Sequence, residues 1–294
     1  MDWIEGVSLA DQREIAACRA TLDSDAPEDY QSLSAWLALY WSRNRSRRRP
    51  ARIGIAGGQG AGKSTLSQLI SDACKFFGLR VCVLGLDDFY LTKAERRALA
   101  VDIHPLLKTR GAPGTHDIGW CRRAVEGVGA PGRMELPRFD KGQDDRAETV
   151  WVEGPFDLVL LEGWCIGAAP VSDGALVNPV NELERIQDAD GRWRKLVNER
   201  LGDEYAALWD ILDEIVFLEV PGLDAVRRWR LKQEESRPQA RRLDAEAVAA
   251  FVEFYERITC EMLERLPERA DWVVSLSEDH SVEKLMGPKR DDLR

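Results

Sequence analysis

The sequence predicts an α/β fold with a doubly wound, mostly parallel sheet and helices on both of its faces. Short, almost wholly apolar segments alternate with stretches whose apolar residues recur at helical spacing, as in sheets built from helical crossovers. A glycine-rich turn joins the first apolar segment to a helix, and acidic residues directly follow two later segments. Because ligands of such sheets bind at the carboxyl ends of the strands, we expect the functional residues there.

Two helical patterns precede the first strand, between Ser8 and about Ser46. The second places five large side chains at helical spacing: Leu33, Trp36, Leu37, Tyr40 and Trp41. We interpret residues 1–50 as an N-terminal helical extension and residues 51–294 as one domain, which carries the motifs described next.

A strand, a glycine-rich turn and the start of a helix lie between Arg52 and Thr65. Gly57, four variable positions and Gly62-Lys63-Ser64 fit the P-loop pattern, in which the lysine reaches the β- and γ-phosphates and the hydroxyl binds Mg²⁺. Glycine lets successive backbone N–H groups turn toward phosphate oxygens. The sequence therefore predicts a nucleoside triphosphate site in nine consecutive residues: Gly57, Gly58, Gln59, Gly60, Ala61, Gly62, Lys63, Ser64 and Thr65.

The elements after the P-loop follow from their periodicity. A helix with a buried stripe ends at Gly78, and an apolar strand at 80–86 follows it. The stretch 102–119 is rich in Gly, Pro, His and Thr and predicts a functional loop. Asp117 suits the N-cap of a helix that ends near Val128.

The second half of the chain continues the alternation. Short extended pieces at 134–136 and 149–152 precede a buried strand at 156–161. We expect two long helices within 179–212 and a strand at 215–220. A helix rich in arginine then starts near Leu223, a further helix spans 248–262, and Trp272–Leu276 is expected to be the last strand.

Acidic residues end two of the predicted strands: Asp87 and Asp88 follow the strand at 80–86, and Glu162 follows the strand at 156–161. Carboxylates in this position can bind Mg²⁺ or act as general base for an attacking hydroxyl. An acidic pair can also simply cap a helix or a turn. We favour function for Asp87 and Glu162, because both follow buried strands of a sheet with a P-loop.

Basic side chains gather in two loops of an otherwise acidic protein: Arg110, His116, Arg138, Lys141 and Arg146. They suit a small carboxylate as acceptor. The alternative is that several are surface charges or structural ion pairs, and Arg146 in particular could pair with its neighbours Asp144 and Asp145.

Composition limits the partners. A net charge of −10 argues against nucleic acid. The arginine cluster lacks interleaved aromatic residues, so we interpret it as a helix end and linker; it comprises Arg43, Arg45, Arg47, Arg48 and Arg49. No apolar run or signal-peptide pattern predicts a membrane segment, and we expect a cytoplasmic protein. The six scattered cysteines predict reduced, mostly buried thiols rather than a zinc site. No sequence feature predicts an oligomeric state.

Several segments together resemble the D-glycerate 3-kinase family, over roughly residues 52–255 and in matching order. They are the P-loop, Leu86-Asp87-Asp88-Phe89-Tyr90-Leu91-Thr92, Arg110-Gly111-Ala112-Pro113-Gly114-Thr115-His116-Asp117, Pro137-Arg138-Phe139-Asp140-Lys141, Glu162-Gly163-Trp164 and Arg228-Trp229-Arg230-Leu231-Lys232-Gln233-Glu234. That family is similar in turn to phosphoribulokinase, uridine kinase and pantothenate kinase.

The resemblance implies roles for individual residues. Asp87 would be the general base, with Lys63 and Arg230 completing the catalytic set. The acceptor pocket would comprise Asp88, Tyr90, Arg110, His116, Asp117, Arg138 and Lys141. The arginine helix, with Arg227 and Arg230, would cover ATP, while Ser64 and Glu162 would hold Mg²⁺. By resemblance alone the product would be 3-phosphoglycerate.

Two other functions fit the same motifs. One is a P-loop kinase for another small acceptor, such as a nucleoside, pantothenate or a sugar. The other is a nucleotide-dependent switch protein, for which a guanine-reading motif would be usual; Thr92-Lys93-Ala94-Glu95 comes nearest but lacks the aspartate. Adenine is therefore the expected base, and ATP the expected phosphoryl donor.

Overall fold

The structure is a computed structural model that describes residues 8–22, 25–46, 49–235, 242 and 244–288. The first half of the chain forms the elements α1 (Leu9–Arg19), α2 (Glu28–Asn44), β1 (Ala51–Gly57), α3 (Lys63–Phe76), β2 (Val81–Gly85), α4 (Lys93–Asp102), α5 (Ile118–Gly127), β3 (Gly132–Leu136), β4 (Phe139–Asp140) and β5 (Asp145–Arg146). The second half forms β6 (Val150–Gly154), β7 (Leu158–Gly163), α6 (Glu182–Gln187), α7 (Arg192–Arg200), α8 (Ala206–Trp209), β8 (Glu214–Glu219), α9 (Leu223–Glu235), α10 (Ala245–Arg265), β9 (Trp272–Leu276) and β10 (Val282–Met286).

The main sheet has six strands in the order β10-β9-β8-β1-β7-β2. Five of them run parallel, and β10 pairs antiparallel with β9 at one edge. Two small antiparallel pairs, β3 with β6 and β4 with β5, stand apart from this sheet. The predicted doubly wound, mostly parallel sheet of a P-loop fold is therefore confirmed.

The register of the strands brings the predicted site residues to one edge. In β7, Glu162 lies beside Ile55 of β1 and beside Gly85 of β2. Glu162 is therefore flanked by the start of the P-loop on one side and by the turn that carries Asp87 on the other.

Strand β7 shows why the sheet is covered on both faces. Leu158 and Leu160 belong to one hydrophobic cluster, which also holds side chains of α2, α3 and α9. Val159 and Leu161 belong to a second cluster, which holds side chains of α5, α7 and α10. Successive side chains of a strand point to opposite faces, so a strand between two helical layers is apolar throughout.

The N-terminal helices pack onto the first of these clusters. Leu33, Leu37 and Trp41 of α2 are buried in it, and the Trp41 Nε1 atom donates a hydrogen bond of 3.0 Å to Glu214 at the start of β8. The division into an extension (1–50) and a kinase domain (51–294) stays a prediction.

Three arginines of the cluster after α2 form ion pairs rather than a free basic patch. Arg43 pairs with Asp11 and Glu14 of α1, while Arg45 pairs with Asp157 and Arg49 with Asp213 at the starts of β7 and β8. These contacts tie the helix end to the strands that follow it. Arg47 and Arg48 lie outside the described residues.

Two expectations about secondary structure are wrong. The segment 179–212 forms three short helices and a π-helical turn, Leu201–Tyr205, instead of two long helices. Helix α6 is capped at its end by Asp188, and α7 is capped at its start by Gly191, which has a φ of 73°. A break that contains Asp and Gly therefore interrupts the helical pattern of apolar residues. Trp272–Leu276 is also not the last strand, because β10 follows it; as a charged, largely exposed edge strand, β10 has no clear apolar alternation.

Among the described residues, no helix combines the length and the apolar character needed to cross a bilayer. All six cysteines are free thiols, five of them buried and Cys260 exposed, which agrees with the expectation of reduced, mostly buried thiols.

Candidate active site

A cleft of about 440 Å³ opens at the carboxyl ends of β1, β7 and β2. Twelve residues predicted for the site line it: Gln59, Gly60, Gly62, Lys63, Ser64, Thr65, Asp87, Tyr90, Arg110, Lys141, Glu162 and Arg230. The P-loop, acidic side chains and basic side chains therefore share one cavity.

The P-loop is shaped by glycines that other residues could not replace without strain. Gly60 and Gly62 have φ values of 81° and 85°, in the left-handed region that glycine adopts at no steric cost. The Lys63 side chain folds back over the loop, and its Nζ atom donates a hydrogen bond of 2.9 Å to the Gly58 carbonyl. Burial lowers the pKa of Lys63, although the carboxylates of Glu162 and Asp87 oppose the shift. Bound phosphates would favour the charged form.

Ser64 and Glu162 supply the oxygen donors that a magnesium ion prefers. The Ser64 Oγ atom donates a hydrogen bond of 2.8 Å to Glu162 Oε1. One hydroxyl and one carboxylate next to the P-loop therefore fit the donor set expected for Mg²⁺ bound to ATP.

Asp87 and Asp88 sit in a short 3₁₀ turn, Leu86–Phe89, directly after β2 and contact different partners. Asp87 lines the cleft, and its Oδ2 atom lies 2.6 Å from Lys141 Nζ. The Asp88 carboxylate instead pairs with Arg138 at 2.6 Å and accepts a hydrogen bond from the backbone N–H of Phe139. Only Asp87 of the two faces the cavity.

The environment of Asp87 keeps its carboxyl ionised. Desolvation at the cleft floor acts to raise its pKa, but the adjacent Lys141, together with His116 and Lys63, outweighs this and leaves the pKa below its ordinary value. Burial and the nearby Asp87 charge raise the pKa of Tyr90 well above its ordinary value.

His116 lies behind Tyr90 and does not line the cleft. It is buried and stacks on the Tyr90 ring at 4.3 Å between ring centroids. Its Nδ1 atom is 2.6 Å from the Tyr205 hydroxyl, which also accepts a hydrogen bond from Gly114 N–H. Burial lowers the pKa of His116 to about 4, against a smaller opposing effect of Asp87. The ring is therefore neutral near pH 7.

Asp117 and Arg146 contact each other and the local backbone. Asp117 is the N-cap of α5, as predicted, and accepts from Trp120 N–H. Its second oxygen pairs with Arg146 at 3.3 Å, and Arg146 Nε donates to the Tyr90 carbonyl. Neither residue lines the cleft.

Arg110 reaches the cleft from the predicted functional loop. It pairs with Asp144, and its guanidinium lies 5.5 Å from the centroid of the Phe139 ring. Asp144 has a φ of 56°, uncommon for a residue other than glycine, and it also pairs at 3.0 Å with the fully buried Arg96. One carboxylate thus holds two arginines.

The arginine helix α9 places its two predicted site residues differently. Arg230 lines the cleft, pairs with Glu234 and lies 4.9 Å from the centroid of the Phe251 ring. Arg227 pairs with Asp224 and lies near Glu256, and it is not among the cleft-lining residues.

Sequence reasoning missed five cleft-lining residues: Gly163, Trp164, Gln233, Phe251 and Tyr255. The first three belong to motifs that carry the family resemblance, but no role was predicted for them. Phe251 and Tyr255 recur at helical spacing, which is also the pattern of ordinary core residues. A cluster of possible metal ligands in the described part of the chain, formed by His104, Asp188 and Asp190, does not line the cleft; the buried Asp188 there pairs with Arg194.

Comparison with known proteins places these features among kinases. No family model matches the chain. An uncharacterized kinase of Schizosaccharomyces pombe, mug58, is 34% identical over 202 residues, which are 64% of this chain and 71% of that protein. The chloroplastic D-glycerate 3-kinase of Arabidopsis thaliana is 32% identical over 200 residues, but the chain spans only 41% of that protein's length. The solved structure of D-glycerate 3-kinase from Cryptococcus neoformans superposes with a TM-score of 0.68 at 25% identity, over 95% of this chain and 99% of that one.

Proposed function

The chain belongs to the D-glycerate 3-kinase family of P-loop kinases, and we propose that it transfers the γ-phosphoryl group of ATP to a hydroxyl of D-glycerate, giving 3-phosphoglycerate. The observation that carries this proposal is the composition of one cleft. It combines a P-loop lysine, Lys63, with an ionised carboxylate, Asp87, and two cations, Arg110 and Lys141. A donor, a base and a carboxylate-binding group are the parts that such a transfer needs.

On the nucleotide side, the P-loop backbone and Lys63 would hold the β- and γ-phosphates of ATP. Ser64 and Glu162 would hold Mg²⁺, which when bound neutralises phosphate charge as it builds up in transfer. Helix α9 packs closely on the P-loop, because a Cβ atom added to Gly60 would come within 2.9 Å of the Trp229 Cβ atom. From this helix, the Arg230 side chain would turn from Glu234 toward the phosphates.

On the acceptor side, Asp87 would accept the proton of the attacking hydroxyl. An alcohol is a weak nucleophile near neutral pH, so an oriented carboxylate both positions the hydroxyl and takes its proton. Lys141 must share or release Asp87 for this step, and the glycerate carboxylate offers it a replacement partner. Arg110 would bind the same carboxylate, because a planar guanidinium can donate two parallel hydrogen bonds to it.

An acceptor screen tests the proposal directly. ADP release should be measured with Mg·ATP and D-glycerate, L-glycerate, pantothenate, ribose and a set of nucleosides. We expect D-glycerate to give the largest kcat/KM and NMR of the product to place the phosphate on the 3-hydroxyl. A nucleoside as best acceptor would assign another kinase activity to the same cleft, and ADP release that no acceptor stimulates would favour a hydrolytic switch protein.

A further inference from the structure

Two carbonyl groups on the outer side of the P-loop are held by residues from distant parts of the chain. We propose that Tyr30 of α2 and His280 of the β9–β10 turn are positioning residues of the nucleotide site, which fix the P-loop in its phosphate-binding form. This inference does not depend on the identity of the acceptor. It gives the N-terminal helices a part in nucleotide binding.

Tyr30 contacts the P-loop from the first hydrophobic cluster. Its side chain is only 3% exposed, and its hydroxyl donates a hydrogen bond of 2.9 Å to the Ala61 carbonyl. The ring also packs against Gly62, where an added Cβ atom would lie 3.0 Å from the Tyr30 hydroxyl oxygen. Tyr30 therefore fits only a loop that has glycine at position 62 and directs the Ala61 carbonyl outward.

His280 contacts the preceding carbonyl from the other side of the loop. Its Nε2 atom lies 3.0 Å from the Gly60 carbonyl oxygen, and since a carbonyl only accepts, Nε2 carries the proton. The ring stacks on Trp229 of α9, with 3.8 Å between the ring centroids. His280 has a φ of 71°, a backbone conformation that only a few residue types adopt easily, so the turn is shaped to present this ring.

The two segments that supply these contacts also bind each other. The Asp29 side chain, next to Tyr30, accepts a hydrogen bond of 2.6 Å from the backbone N–H of Val282, the first residue of β10. The start of α2 and the C-terminal hairpin therefore meet behind the P-loop, and each sends one donor to it. These residues are about 250 positions apart in sequence, so the contact is a property of the fold and not of a local motif.

The physical reason lies in the geometry of a phosphate-binding loop. Its N–H groups can converge on an anion only if the carbonyls between them point away from it. A peptide that flips would direct a carbonyl dipole at the phosphates, replacing attraction by repulsion. Donors that bind the outward carbonyls of Gly60 and Ala61 disfavour that flip. Nucleotide binding then loses no free energy to turning a flipped peptide back.

Tyr30→Phe is the sharpest test, because it keeps the ring against Gly62 and removes only the hydroxyl. Affinity for Mg·ADP, measured by calorimetry without any acceptor, should fall about fivefold, the usual worth of one hydrogen bond. Tyr40→Phe is the matched control: it lies on the same helix about 15 Å away, its ring packs edge-on against Trp272, and its Mg·ADP affinity should equal that of the unmodified protein.

His280→Asn gives an independent second variant, since asparagine tolerates the same φ but is too short to reach Gly60. It should also weaken Mg·ADP binding about fivefold, and the double variant should deviate from the product of the single effects because both contacts restrain one loop. KM for the acceptor should stay unchanged in each. Normal Mg·ADP affinity in both single variants, with or without a lower melting temperature, would overturn the proposal and leave the two contacts as structural packing only.

Discussion

The proposed nucleotide half of the cleft, around the P-loop, and the proposed acceptor half, around Asp87, Arg110 and Lys141, hold their polar groups in different ways. On the nucleotide half, the loop is shaped by backbone conformation and close packing, and Lys63 donates to a backbone carbonyl, that of Gly58. On the acceptor half, Lys141 pairs with Asp87 and Arg110 with Asp144. Two further predicted arginines do not line the cleft, and they also pair with carboxylates: Arg138 with Asp88 and Arg146 with Asp117.

This difference indicates how each ligand would enter. Phosphates would meet a loop whose backbone donors are preorganised, so that only the side chains of Lys63 and Arg230 would need to change partner. An acceptor carboxylate would instead take over a cation from a protein carboxylate. Such an exchange replaces one ion pair by another, so its free energy depends on fit more than on charge. The nucleotide half should therefore provide affinity and the acceptor half selectivity.

The largest effect should come from the nucleotide half. Lys63→Ala removes the cation that is proposed to neutralise phosphate charge, more strongly in transfer than in the ground state. We expect turnover to fall by at least about 10³-fold with every acceptor, while circular dichroism stays unchanged. Lys75→Ala is the matched control, because Lys75 lies at the far end of α3 in an exposed pair with Asp72; near-normal turnover of Lys63→Ala would remove the P-loop from the mechanism.

The next largest effect should come from Asp87, which lies where the two halves of the cleft meet. Asp87→Asn keeps the size of the side chain but cannot take a proton, so we expect phosphoryl transfer to fall about 10²- to 10⁴-fold with Mg·ADP affinity retained. Asp88→Asn should cost less, because the Asp88 carboxylate faces Arg138 and the Phe139 backbone. If Asp88→Asn is inactive and Asp87→Asn is normal, the base is Asp88.

The same contrast explains what could be read from the sequence. The P-loop is a contiguous motif whose function depends on backbone conformation, so Gly57 to Thr65 could be placed on a strand–turn–helix from the sequence alone. Strand ends were also predictable, since apolar runs stop at Asp87 and Glu162. The partner of Arg110 was not, because Asp144 is 34 positions away and meets it only through tertiary folding.

His116 and Asp117 show a further limit of prediction from the sequence. The family resemblance places both in the acceptor pocket, but the structure buries His116 behind Tyr90, and neither residue lines the cleft. Asp117 is instead the N-cap of α5, as its position in the sequence predicts. Burial depends on what the fold brings over a loop, here Tyr205 from the segment 182–209, whose helices were themselves misjudged. Their roles in acceptor binding stay predictions.

A smaller, more selective effect should come from Arg110. Arg110→Lys keeps the charge but loses the planar fork, so KM for the acceptor should rise about 10- to 100-fold while Mg·ADP affinity is unchanged. Arg122→Lys is a suitable control, because Arg122 forms an exposed pair with Glu126 on α5 and should behave like the unmodified protein. A parallel loss of nucleotide affinity in Arg110→Lys would contradict the division of the cleft into two halves.

The smallest expected effect is that of pH. The pKa of Asp87 lies below its ordinary value because Lys141, His116 and Lys63 outweigh desolvation, so its base form is present at all higher pH and is lost only in acid. Burial holds the pKa of His116 at about 4, so this ring stays neutral over the same range. We therefore expect kcat/KM for the acceptor, measured with saturating Mg·ATP, to be flat between about pH 5.5 and 8. An inflection near pH 6.5 that disappears in His116→Gln would instead make the imidazole the titrating group, and the acceptor half would then transfer its proton through His116 and not through Asp87 alone.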